Sequence, residues 1–179
     1  CAIAAPLQPA GGGPGPYPLV MLRSPVPRVP EKTLRDVLPA CEPDQVLVFE
    51  PPHAGPESRT VFYFPGCGSE RLHAGISMAA LHVLLATGTR VILPPPFLCC
   101  GFPARVNART EQHGRTQLHD TILFAQIREM FSHLTFDGCV VTCGTCREGL
   151  AEMEAGRVFG GRIVDVAAYA AERGLKPPA

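Results

Sequence analysis

From residue 60 onward, apolar and polar positions alternate between short β-prone runs and amphipathic stretches. Val61-Phe62-Tyr63-Phe64 is an apolar run of strand length. Ser69 then reads as the cap of a helix whose apolar stripe is Leu72, Ile76, Ala79, Ala80, Val83 and Leu84, with Gly88 as its stop. Val91-Ile92-Leu93 predicts a second strand, halted by Pro94-Pro95-Pro96, whose rings offer no N–H to a ladder. Leu118 to Leu134 predicts a second helix with Leu123, Ile127, Met130, Phe131 and Leu134 on one face. Cys139-Val140-Val141-Thr142 supplies a third strand, Thr145 to Met153 a third helix, and Ile163-Val164 with Ala167 to Arg173 a last short strand and helix. Strands that alternate with helices are joined by right-handed crossovers, which lay the strands parallel. The expected fold class is therefore α/β, with a parallel or mostly parallel sheet and helices on both faces.

Ahead of this regular region the pattern weakens. Thr33 to Leu38 predicts a short helix stopped by Pro39, and Val46 to Phe49 a strand, so residues 31–56 read as a short lead-in segment. Residues 1–30 hold eight Pro and four Gly without sustained period, the composition of an extended linker or arm. The chain starts at Cys1 and has no signal-peptide pattern, so it is expected to be cut from, or processed out of, something longer. Cys1 itself reads as a spare thiol, against a role in an upstream site or as a lipid-modified terminus. The expected layout is 1–30 arm, 31–56 lead-in and 57–176 cysteine-rich domain.

Composition removes several function classes. With 16 basic and 16 acidic residues the formal charge is zero, so no nucleic-acid partner is expected. The longest mostly apolar stretch, Ile76 to Ala86, already contains Ser77 and His82 and falls well short of the ~20 residues a spanning helix needs. No transmembrane segment is expected. The eight cysteines do change the picture.

Cys67 follows the first strand of the regular region, Cys99 and Cys100 the second, and Cys143 and Cys146 the third. In an open parallel sheet the loops after the strands converge at the carboxyl edge, where ligands bind, so five thiols are expected in one crevice. Gly66, Gly68, Gly101 and Gly144 allow tight turns there and leave N–H groups free to face sulfur, and helix starts nearby favour thiolates. Zinc would take four ligands, commonly as two Cys-x2-Cys pairs, and only Cys143-Gly144-Thr145-Cys146 has that spacing. The vicinal pair Cys99-Cys100 is awkward around one small ion and better suited to a cluster of several irons. Thiol–disulfide exchange at Cys143/Cys146 is a rival that leaves Cys67, Cys99 and Cys100 without work. A structural disulfide framework is disfavoured in a regular core of this size.

The runs Phe64-Pro65-Gly66-Cys67, Phe97-Leu98-Cys99-Cys100-Gly101-Phe102-Pro103 with Asn107 following, and Cys143-Gly144-Thr145-Cys146 resemble the cysteine-rich CCG domain. That domain occurs in heterodisulfide reductase and in the iron–sulfur components of glycolate oxidase, lactate-utilisation and anaerobic glycerol-3-phosphate dehydrogenase systems. The interval from Cys67 to Cys99 matches the family pattern. The interval from Cys100 to Cys143 is several residues longer, an excess expected in a loop near Arg109 to Gly114. The resemblance implies an iron–sulfur cluster of the 4Fe-4S type, noncubane in heterodisulfide reductase, held by Cys67, Cys99, Cys100, Cys143 and Cys146.

What it further implies is an electron-transfer module of a flavin-linked oxidoreductase, such as a 2-hydroxy-acid dehydrogenase or a heterodisulfide-reductase-like complex, not turning over alone. FAD would sit on a partner domain or subunit, and the partners would be that flavin dehydrogenase and other iron–sulfur centres. The expected location is cytoplasmic, with peripheral attachment at the inner face of the membrane through partners. The alternatives are a zinc-stabilised assembly or docking domain and a thiol–disulfide oxidoreductase using Cys143 and Cys146.

No catalytic residue is assigned. Cys139 reads as a buried structural cysteine and Cys41 has no expected role. His73, His82, His119 and His133 lack paired ligand spacing, and His113, in the expected loop after the CCG tripeptide, is the histidine worth testing. Arg71, Arg105 and Arg147 lie near site cysteines and read as surface arginines, with cluster tuning or anion receipt as the sharper alternative. Asn107 is a candidate donor to cluster sulfur. Gly66-Cys67-Gly68 lacks the later glycine of a nucleotide-binding fingerprint.

Overall fold

The computed structural model describes residues 31–175 apart from 43, 56 and 57. The arm expected over residues 1–30, and Cys1 with it, lie outside the described residues. The elements are α1 (Leu34–Val37), β1 (Leu47–Phe49), β2 (Thr60–Phe64), α2 (Gly66–Arg71), α3 (Ala74–Ala86), β3 (Arg90–Leu93), α4 (Phe102–Val106), α5 (Thr110–Met130), β4 (Phe136–Val141), α6 (Gly144–Glu152), α7 (Ala155–Val158), β5 (Ile163–Asp165) and α8 (Val166–Glu172). The sheet order is β1-β3-β2-β4-β5. β2, β3, β4 and β5 run parallel, and β1 pairs antiparallel with β3 through Leu47–Leu93, Val48–Ile92 and Phe49–Val91. The α/β class with a mostly parallel sheet is the one expected. The described residues from Lys32 onward form one compact unit.

Every residue of β2 is buried because the strand faces apolar layers on both sides. On one face Phe62, Phe64, Cys139 and Val141 meet Phe124 and Ile127 of α5, Leu150 of α6, and Phe159. The Phe62 and Phe159 rings stack 4.0 Å apart, with Phe124 edge-on to Phe62 at 5.3 Å. On the other face Val61, Tyr63, Val91, Leu93 and Val140 pack on Leu34 of α1, Ala80, Leu81 and Leu84 of α3, and Tyr169 of α8. Helices therefore cover both faces. Among the described residues, no helix is long and apolar enough to cross a membrane.

The expected helix from Ser69 to Gly88 is two helices. Leu72 and His73 both direct their N–H groups to Gly68 O, which closes α2 early, and the chain leaves helical geometry at His73 before α3 starts. Ser69 is no cap: it is buried within α2, where its carbonyl accepts from Ser77 Oγ at 3.1 Å. The break rotates the buried face of α3 onto Ser77, Ala80, Leu81 and Leu84, leaving Leu72 and Ile76 of the expected stripe exposed. Ser77 is tolerated there because its hydroxyl also accepts from Tyr63 OH at 3.1 Å.

Residues 110–114, expected as a loop, are the first turns of α5, which begins eight residues before the expected Leu118. That helix buries Asp120, Phe124 and Ile127, while Leu118 and Met130 stay exposed. A polar first half masked the helical period there.

Candidate metal centre

Each cysteine turn comes directly after a parallel strand. β2 ends at Phe64 and α2 starts at Gly66, so Cys67 lies in the first turn of that helix. Pro94-Pro95-Pro96 ends β3, and the chain reaches Cys99-Cys100-Gly101 before α4. β4 ends at Val141, Cys143 caps α6 in extended geometry, and Cys146 lies in the first turn of α6.

The five thiols form one continuous row. Cys67 Sγ and Cys99 Sγ are 3.7 Å apart. Cys99 also neighbours the Cys100 thiol, Cys100 that of Cys146, and Cys146 that of Cys143, the titration of each first-named thiol being shifted by its neighbour. Thr145 reaches two members, its carbonyl 3.9 Å from Cys100 Sγ and its hydroxyl 3.1 Å from Cys143 Sγ. Cys100 and Cys146 are buried, and the other three are partly so.

Protons distribute unevenly along this row. Cys99 is pushed down to about 2 by hydrogen bonding with the Cys100 and Cys67 thiols. Cys146 is held below the ordinary thiol range chiefly by the bond with Cys100. Cys100 and Cys67 move the other way: Cys100 is raised by its bonds with Cys146 and Cys99, and Cys67 by its bond with Cys99 and by burial. Five sulfurs, two of them in thiols lowered toward thiolate, form a soft, electron-rich donor set.

Two glycines make the row compact. Gly66 has φ +71°, and a Cβ there would lie 2.6 Å from Cys146 Sγ. On α6, a Cβ at Gly149 would lie 2.6 Å from Cys100 O and 2.9 Å from Cys100 Cβ. Both positions let backbone approach where a side chain would push sulfur aside.

Among the described residues, no group of three or more His, Cys, Asp or Glu side chains is arranged to hold a single metal ion. All seven described cysteines are free thiols.

The remaining candidates separate cleanly. Cys139 is fully buried in β4, within the layer that contains Phe62 and Phe124. Cys41 is a partly exposed free thiol. His113 is in α5, not in a loop; its Nδ1 lies 3.2 Å from Gly101 O of the CCG tripeptide and its Nε2 3.4 Å from Glu152. Glu152 also takes Arg105 and accepts from Gln117 at 2.8 Å, tying α4 and α5 to α6. Arg71 lies over the Phe97 ring at 4.4 Å. Arg147 is exposed on α6. Asn107 donates to Pro103 O at 2.7 Å, a local turn bond in place of the expected donation to sulfur. His82 approaches Met78 O, His133 lies beside Phe131, and His73 precedes α3.

A family described as "Cysteine-rich domain", CCG, matches residues 61–151, just over half of the chain. The chain belongs to the CCG family. An uncharacterized iron-sulfur protein of Methanococcus maripaludis is 30% identical over 119 residues, which is 66% of this chain and 22% of that protein. The chain thus spans about a fifth of that relative. No solved structure matches the chain significantly. All five thiols of the row fall inside the segment that defines the CCG domain.

Sequence reasoning missed Asp120. It is 1% exposed, with Oδ1 2.9 Å from His119 Nδ1 and no hydrogen-bond partner for Oδ2. With Phe97, Leu98, Cys99, Arg115 and His119 it lines a shallow cleft of about 330 Å³ beside the row. Burial pushes its carboxyl up to about 6 from an ordinary 3.8. Between those values the folded chain keeps a proton that the unfolded chain has released, so stability falls as pH rises through that window. Asp120→Asn is expected to raise metal-free stability at pH 7 by about 2–3 kcal/mol and to flatten the decline between pH 4 and 6. Urea unfolding across that range checks both. A polar residue inside a helical apolar stripe was the available signal, hidden because the stripe was phased on Leu123 instead of Phe124.

Proposed function

We propose that the five thiols of the row, Cys67, Cys99, Cys100, Cys143 and Cys146, hold an iron–sulfur cluster of the 4Fe-4S type and that the domain transfers electrons within a flavin-linked oxidoreductase. The observation that supports this reading most is the continuity of the row. Three separate turns contribute to it, and the vicinal Cys99-Cys100 pair lies at its centre. A cluster of several irons suits a row of soft donors wider than one ion requires. The CCG assignment and the iron-sulfur name of the Methanococcus relative support the same choice.

When bound, such a cluster supplies reversible one-electron chemistry. The chain's own contributions are ligation, exclusion of water and tuning. Cys100 and Cys146 are buried against Phe64, Leu98 and Leu150, which lowers the local dielectric around the sulfurs. The first turn of α6, a helix of nine residues, carries Cys146 and presents unpaired N–H groups that favour thiolate. No flavin site is assigned to the described residues; FAD belongs to the partner dehydrogenase. Cytoplasmic location and contact with further iron–sulfur centres are part of the same proposal.

Anaerobic purification followed by iron and acid-labile sulfide analysis tests the reading. Iron and sulfide in near-equal amounts, with charge-transfer absorbance bleached by dithionite, are the expected result. Colourless protein with stoichiometric zinc would replace it with the assembly-domain alternative.

A further inference from the structure

Residues 31–56 precede the segment that matches the CCG family, yet a side chain from them reaches the thiol-bearing turns. Arg35 of α1 pairs through Nε with Glu70 Oε1, and its Nη2 donates to Pro94 O at 2.8 Å. The Arg35 and Glu70 side chains are only 9% and 1% exposed. Glu70 stands on α2, three residues after Cys67. Its other oxygen, Oε2, accepts from Phe97 N at 2.9 Å, two residues before Cys99. One carboxylate therefore joins the helix that carries Cys67 to the loop that carries Cys99 and Cys100, and one guanidinium fastens both to the end of β3.

Phe97 has φ +68°, a conformation that residues with a Cβ seldom adopt and that persists only when the surroundings hold it. The surroundings here are the Glu70 bond and the Arg71 guanidinium over the exposed ring. A buried ion pair is poor evidence for net stability, because desolvation offsets the attraction; selecting one local geometry is a better-attested role.

We propose that Arg35 and Glu70 are positioning residues which set the spacing between Cys67 and the Cys99–Cys100 pair by pinning the left-handed Phe97 peptide, so that the lead-in segment completes the thiol site. The consequence for iron uptake rests on the iron–sulfur reading; the spacing itself does not. Without the pin the 94–99 loop relaxes toward right-handed or extended backbone and carries Cys99 away from Cys67.

The test uses the full metal-free chain, treated anaerobically with dibromobimane, which bridges neighbouring thiols, and peptide mapping to count the Cys67–Cys99 product. Iron reconstitution is run in parallel, and circular dichroism confirms the fold. Wild type is expected to cross-link readily, and Glu70→Ala and Arg35→Met to lose about fivefold or more of that product. Adding Phe97→Gly to Glu70→Ala is expected to restore about half of it or more, since glycine takes positive φ without strain. If Glu70→Ala does not fold, Glu70→Gln takes its place; it keeps an acceptor for Phe97 N and loses the charge pair, so an intermediate yield is expected. Wild-type yield in a folded Glu70 variant, or loss that glycine at 97 fails to restore, overturns the positioning role. Cross-linking that depends on Glu70 in a chain that never takes up iron supports the pin and removes the iron–sulfur reading instead.

Discussion

Gly66→Ala is expected to yield a folded protein with about a tenth or less of the wild-type iron and sulfide, a loss set by two separate penalties. Alanine at φ +71° costs about 1–2 kcal/mol in backbone strain. Its Cβ would also lie 2.6 Å from Cys146 Sγ, closer than atoms of that kind approach, so the sulfur or the start of α6 must move. Phe64 Cε1, 3.6 Å from the same point, is in ordinary contact and leaves no room for the Cβ to escape by tilting. The damage falls on sulfur placement, because Cys146 Sγ is the atom the added Cβ overlaps, while Phe64 of the aromatic core is only in ordinary contact with it. Iron and sulfide per chain, read beside circular dichroism and urea unfolding, separate the two effects. Full cluster content in a folded Gly66→Ala protein would show that Cys146 is not needed where the structure puts it.

The second large effect is expected at Cys100. Its thiol contacts those of Cys99 and Cys146, so it links the turn after β3 to the turn after β4. Cys100→Ser preserves shape and replaces a soft donor by a hard hydroxyl of high pKa, and cluster content is expected to fall about tenfold or more. Cys139→Ala is the informative contrast. Cys139 is just as buried, and desolvation raises its thiol further from ionisation, but it lies inside β4 with Phe62 and Ile163 as its register partners. That variant is expected to lose about 1–2 kcal/mol of stability and to keep its iron. Equal iron in the two variants would remove Cys100 from the ligand set and weaken the row as the organising feature.

Much of this site was legible in the chain because the signals are local. A β-prone run followed by a turn containing both Cys and Gly recurs three times, and parallel crossover topology sends all three turns the same way. The CCG tripeptide and the Cys-x2-Cys pair then named the thiols. Residues whose roles depend on a distant partner were not legible. Ser69 looked like a helix cap because serine before an apolar stripe usually is one; only the packing of Ser77 and Tyr63 shows it as a buried hydrogen-bonding residue. Glu70 drew no reading from the sequence, since its partner Arg35 is 35 residues away and Phe97 contributes only a backbone N–H. His113 was singled out for its place after the CCG tripeptide, yet its contact with Gly101 arises because α5 starts at Thr110.

The amino-acid order alone determined the α/β class, the order of the five strands, and which sulfur atoms belong to the cysteine motif, since periodicity and motif spacing are properties of neighbours along the chain. The tertiary structure decided the order of thiols in the row, the two glycine contacts that compress it, the break at His73 and the carboxylate that joins two cysteine turns. Each of these is a distance between residues remote in sequence, set by how the turns pack once the sheet has formed.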